Sequence, residues 1–154
     1  ISYNYGAQKP DRMKRTMKLG VMVGCSIMVF CLAIMQVFPG QILKIFDATD
    51  EMLLMGIPAV RIMSTAFIFA GFSVTCSGMF QAVGKGVYSM IVSMARQLFV
   101  ILPVAYFLSK AMNSVNGVWA AFPIAEVFSV IISTIFLLRV YKKIVKPMES
   151  VQRD

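Results

Sequence analysis

The sequence predicts an all-α polytopic membrane protein with four transmembrane helices. Its 154 residues are 58% hydrophobic and only 14% charged, with a mean hydropathy of +0.77, values that describe a chain dissolved in lipid rather than in water. The apolar residues fall into runs of membrane-crossing length separated by short polar turns, since a helix needs roughly 20 apolar residues to cross the hydrocarbon core. The basic residues, which give a net charge of +8, lie between those runs and not along a groove or one helix face. That distribution excludes nucleic-acid binding and instead carries topology.

Residues 1–18 read as the end of a preceding transmembrane helix followed by a basic cytoplasmic loop. ISYNYG has no initiator Met, basic n-region or apolar signal core, and Gly6 suits the glycine that follows a helix. The chain is therefore expected to be the C-terminal piece of a longer protein. AQKPDRMKRTMK then carries Lys9, Arg12, Lys14, Arg15 and Lys18 against the single acid Asp11.

Residues 19–141 read as a bundle of four spans, at about 19–38, 52–83, 87–108 and 117–140. The first has no charge and ends at Pro39 and Gly40. In the connection, ILKIF is apolar enough to lie in the interface, and Asp50 suits an N-cap. The second span is long, and Pro58 predicts a kink in its early turns. Arg61 is then placed to snorkel to the outer interface. Ser64, Gly71, Thr75, Gly78 and Ala82 form a small-residue stripe on which another helix backbone can approach closely. QAVGKG makes the next turn.

The third span contains Arg96 and Gln97, with Ser89 and Ser93 placed on the arginine's face and Pro103 as a kink site. Arg96 falls about 14 Å from the start of its helix. The fourth span, GVWAAFPIAEVFSVIISTIFLLRV, is about 36 Å long and places Glu126 about 14 Å from its Gly117 end, near the midplane. An ionisable group at that depth costs at least a few kcal/mol unless it faces protein or water, which makes it a functional-site candidate. Ser129 and Ser133 follow on the glutamate's side, whereas Ile124, Phe128, Ile131, Ile135 and Leu138 cluster opposite. Residues 142–154 read as a basic cytoplasmic tail in which Pro147 keeps the helix from continuing.

Counting Lys and Arg orients the chain. Lys9, Arg12, Lys14, Arg15, Lys18, Lys85, Arg139, Lys142, Lys143, Lys146 and Arg153 collect on one side. Only Lys44 and Lys110 fall on the other, and Arg61 and Arg96 within spans complete the 15. The bias puts the eleven in the cytoplasm, and with them both ends of the chain.

Other chemistries find little support. Cys25, Cys31 and Cys76 are odd in number and lie within apolar spans, and the chain has no histidine. Neither a disulfide framework nor a metal site is suggested, no cofactor is expected, and one buried acid supplies no nucleophile and base for an enzyme.

The ordered set ISYNYGAQKPDR, GMFQAVGKG, ARQLFVILPVAYFL and NGVWAAFPIAE resembles the C-terminal half of the multidrug and toxic compound extrusion (MATE) family. The resemblance implies a fragment of a twelve-helix, two-bundle transporter, comprising the last turn of span eight and spans nine to twelve, in a cell (plasma or bacterial inner) membrane. It implies export of cationic or amphipathic drug-like compounds by antiport with H⁺ or Na⁺, with the missing N-terminal spans and the lipid bilayer as partners. Some members carry a cation-binding acid in span ten. This sequence has none between Arg61 and Lys85, which weighs against a sodium site of that type.

Three readings follow. In the first, the chain walls a drug cavity, with Glu126, Arg96, Gln97, Ser129 and Ser133 as candidates for substrate binding or ion coupling and Phe and Met as a soft lining. In the second it belongs to a flippase for lipid-linked sugars, against which a lone Glu with few cavity cations weighs. In the third it is a non-transporting membrane scaffold in which Arg96 and Glu126 merely pair. Antiparallel neighbouring helices would bring those two to similar depth, so they are expected within reach of one another.

Overall fold

The computed structural model describes residues 1–151, and among these all regular structure is helical. Helix α1 (Ser2–Gly6) turns into α2 (Pro10–Val37); α3 (Pro39–Ile45) and α4 (Asp50–Ser64) follow, then α5 (Phe67–Ala82). Next, α6 (Gly86–Met94), a π-helical stretch Ala95–Ile101 and α7 (Leu102–Met112) form one continuous rod. So do α8 (Asn116–Val140), a π-helical stretch Tyr141–Val145 and α9 (Lys146–Val151). Three of these helices are long and apolar enough to cross a membrane, and with the bent pair α4–α5 counted as one broken span there are four. The protein is a multi-pass membrane protein.

Helix α8 is central, with α4, α5, α6 and α7 all packed on it, while α2 lies against α5. One face of α8 is a ladder of small residues at four-residue spacing: Gly117, Ala121, Ala125, Ser129 and Ser133, all buried. Such a ladder lets neighbouring backbones approach closely where no hydrophobic force drives helices together. A Cβ on Gly117 would sit 2.5 Å from the Leu108 carbonyl oxygen of α7. The opposite residues, Ile124, Phe128, Ile131, Ile135 and Leu138, are exposed as their spacing predicts.

Of the small-residue stripe in the second span, Gly71 and Thr75 are used against α2. A Cβ on Gly71 would lie 2.9 Å from Cys25 Cα, whereas one on Gly78 would meet nothing within 4 Å.

At one end of the bundle Met13, Cys76, Phe80, Val83, Val92, Phe136, Val140 and Val145 form the hydrophobic core. Its centre is aromatic. Tyr88 stacks on Phe136 with centroids 4.4 Å apart, and Phe80 meets both edge-on, an arrangement the ring quadrupoles favour.

Several local expectations need correction. Residues 10–18 are helical rather than a loop, because Pro10 at the first position and Asp11 in the first turn start a helix well and Met13, fully buried, anchors it. Gly6 lies inside α1, and the residue with positive φ after it is Gln8 at 53°. Thr49, not Asp50, caps α4 by accepting from the Met52 amide at 3.4 Å.

The second span breaks at Thr65–Ala66 rather than at Pro58, and the two pieces bend by 55°. There the Thr65 and Ala66 amides reach back only three residues, to the Ile62 and Met63 carbonyls. The tail does not stop at Pro147 but runs on as helix. The Lys146 amide already reaches five residues back to Tyr141, and this widened π turn gives the proline ring room before α9. Val145 and Met148 are buried in consequence, and Glu149 pairs with Lys14 at 2.8 Å. Arg153 lies outside the described residues.

Candidate functional site

Pro103 explains the local geometry of the third span. A proline cannot donate to the carbonyl four residues back and its ring crowds that carbonyl; the ladder is π-helical over Ala95–Ile101, just ahead of it. The extra residue per turn rotates what precedes Pro103 out of ordinary helical register, and Arg96 and Gln97 lie in that stretch. Ser93 therefore does not share the arginine's surroundings. It is exposed, whereas Ser89 is buried and donates to the Ser77 carbonyl at 2.7 Å.

Arg96 Nη1 donates to Glu126 Oε1 at 2.5 Å, bridging the π-helical stretch and α8. Each residue lies about 15 Å from the start of its own rod, so the pair sits deep between the two ends. The Arg96 side chain is 31% exposed and that of Glu126 only 9%. The second carboxylate oxygen, Glu126 Oε2, is buried and has no hydrogen-bond partner among the described residues.

Both side chains line an open pocket of about 360 Å³. Gln97 lines it too, together with Met35 of α2, Met63 and Ser64 of α4, Phe67 of α5 and Phe122 of α8. The wall is therefore apolar and partly Met and Phe, with polar groups gathered where α8 meets the π-helical stretch. Such a surface suits amphipathic molecules, because Met adapts to irregular shapes and a few placed polar groups orient the ligand.

Ser129 and Ser133 do not line this pocket. Ser129 donates to the Ala125 carbonyl of its own helix at 3.1 Å, and both serines belong to the small-residue ladder of α8. They share the glutamate's buried side, as their spacing predicts, and the Ser133 hydroxyl is buried there without a hydrogen-bond partner among the described residues.

A polar element missed from the sequence borders the pocket at the α4–α5 break. Because the Thr65 amide turns to Ile62, the Arg61 carbonyl loses its usual donor. Gln36 of α2 supplies one, donating from Nε2 to the Arg61 carbonyl at 2.8 Å and to the Ser64 hydroxyl at 3.0 Å, while Ser64 Oγ itself donates to Arg61 at 3.1 Å. The available signal was a lone Gln in an uncharged 19–38 run, a costly residue in lipid unless something nearby needs it. The Arg61 side chain is exposed, at the end of α4. Among the described residues no group of three or more Cys, Asp or Glu is placed to hold a metal ion.

Residues 1–107 match the family described as MatE. The chain is 26% identical over 120 residues to the multidrug export protein MepA of Staphylococcus haemolyticus (strain JCSC1435), a match covering 78% of this chain and 26% of that protein. It is 26% identical over 139 residues to the probable multidrug resistance protein YoeA of Bacillus subtilis (strain 168), covering 90% of this chain and 30% of that one. Its fold superposes on the solved MATE multidrug transporter DinF-BH, determined in complex with R6G, with a TM-score of 0.79 and 31% identity over 93% of this chain and 31% of the other. The chain thus spans less than a third of the length of each of these relatives. With the family match extending over residues 1–107 and the solved fold over nearly the whole chain, the protein belongs to the MatE family of multidrug and toxic compound extrusion transporters.

Proposed function

We propose that the chain forms spans nine to twelve of a secondary multidrug exporter, with its C-terminus in the cytoplasm, and that the Arg96–Glu126 pair couples drug exit to entry of H⁺ or Na⁺. The observation that carries this reading is the half-satisfied carboxylate. Glu126 gives one oxygen to Arg96 and leaves the other buried and unpartnered beside the pocket. A buried acceptor left without a partner is a place where an incoming proton or small cation can be received.

The coupling logic follows from charge. With Glu126 ionised, the pair is neutral overall and the pocket tolerates a cationic amphipath on its Met and Phe wall. Once a proton or cation neutralises Glu126, Arg96 is left as an unbalanced positive charge on that wall and repels the drug. Entry of the coupling ion and departure of the drug thereby exclude one another, as exchange requires. A midplane site between helices is where alternating-access carriers bind their ions and substrates.

The flippase reading loses ground, because Arg96, the cation lining the pocket, is already engaged by Glu126 and has little to offer an anionic headgroup. The test is transport by the full-length protein in vesicles, with a cationic dye as cargo and either a proton or a sodium gradient imposed. Dye movement driven by one gradient and abolished by its collapse is the expected result. Movement driven by neither contradicts the proposal.

A further inference from the structure

We propose that Lys85, Arg139 and Lys143 form a binding site for a phosphate group, supplied by the headgroup of an anionic phospholipid at the membrane boundary. The three cations come from separate places, the turn after α5, the last turn of α8 and the π-helical stretch beyond it, and converge with Tyr88 on a pocket of about 290 Å³. Among the described residues the ion-paired acids are Asp11 and Glu149 with Lys14, and Glu126 with Arg96; none is paired with these three cations. Three like charges held around one cavity repel each other, and an anion entering it removes that repulsion.

The site is organised from behind. Phe136 is buried, Tyr88 stacks on it, and the Arg139 guanidinium lies 5.7 Å from the same ring. The aromatic pair thus fixes the tyrosine and positions the arginine before any ligand arrives. The turn is fixed as well, because the Tyr88 amide donates to the Lys85 carbonyl at 2.9 Å and so ties the lysine to the tyrosine that lines the pocket.

A lipid fits this chemistry better than a free solute. The pocket lies where two spans end, a tyrosine lines it, and Val87 and Leu138, the sequence neighbours of Tyr88 and Arg139, are exposed apolar residues against which an acyl chain can lie. The inference does not depend on the transport reading.

The experiment is native mass spectrometry of the full-length protein in detergent, titrated with phosphatidylglycerol or phosphatidylcholine, with and without inorganic phosphate. Wild type should retain phosphatidylglycerol preferentially. Each of Lys85→Gln, Arg139→Gln and Lys143→Gln should weaken retention roughly fivefold, and the triple variant on the order of 100-fold. A control losing the same charge outside the pocket, Lys18→Gln with Lys142→Gln and Lys146→Gln, should retain it. Equal losses in control and triple variant, or no loss in the singles, would overturn the site. Capture of inorganic phosphate without preference for phosphatidylglycerol would overturn its assignment to a lipid.

Discussion

Arg96 and Glu126 stand 30 residues apart in sequence and form one ion pair whose members are unequally buried. Arg96 borders the open pocket, where water can solvate it, whereas Glu126 is almost enclosed. Removing the arginine should therefore cost more than neutralising the glutamate, since an unpaired charge is penalised by its burial. Arg96→Gln should lower stability in detergent by about 3 kcal/mol and Glu126→Gln by about 1 kcal/mol, with much of the Arg96→Gln loss recovered in the double variant. Denaturation of the purified full-length proteins measures this, and losses that simply add in the double variant would show that the two residues are not energetically coupled.

Gln36 holds the bend in the second span by occupying the Arg61 carbonyl that the break leaves without its helical donor. Gln36→Leu should leave that carbonyl unsatisfied on its α2 side and cost about 1–3 kcal/mol. Hydrogen exchange should rise at Ser64–Phe67 ahead of the rest of the bundle. Unchanged protection there would mean that the break holds without α2.

Gly71 and Gly78 belong to the same sequence stripe but should respond differently. Gly71→Ala forces a methyl against the Cys25 backbone of α2 and should destabilise by about 1–3 kcal/mol. Gly78→Ala enters open space and, gaining helix propensity, should be neutral or stabilising by up to about 1 kcal/mol. Thermal unfolding of the two single variants decides, and a reversed order would contradict the α2–α5 packing.

The eleven-to-two bias of basic residues predicts topology. In a background lacking Cys25, Cys31 and Cys76, single thiols at Thr49 and Asn113 should react with an impermeant reagent added outside intact cells, and a thiol at Lys85 should not. The opposite pattern would invert the chain.

How far the sequence carried depended on what each residue reports. The exposed face of α8 and the meeting of Arg96 with Glu126 were legible because helical spacing and the cost of a midplane charge constrain them strongly. The break at Thr65–Ala66 was not legible. Proline at 58 is the conspicuous signal, while the actual break depends on a glutamine from another helix, and no local propensity encodes such a tertiary hydrogen bond. Ser129 and Ser133 were placed on the correct side, but neither lines the pocket beside Glu126. A serine is both a polar group and a small residue, and only the buried run Gly117, Ala121, Ala125, read with them, shows that smallness is what α8 uses. The helical course of residues 10–18 and of the segment beyond Pro147 escaped because basic composition suggests a loop, whereas Met13 and Val145 are held by the core.

The most direct test of the account is gradient-driven drug efflux by full-length protein carrying Glu126→Gln, at matched membrane expression, in vesicles where ion and drug fluxes are both followed. Coupling through Glu126 predicts normal insertion, drug efflux reduced at least tenfold, and loss of drug-dependent ion uptake. Normal expression with efflux and coupling both unchanged would contradict it, and would leave the Arg96–Glu126 pair as a strut between helices.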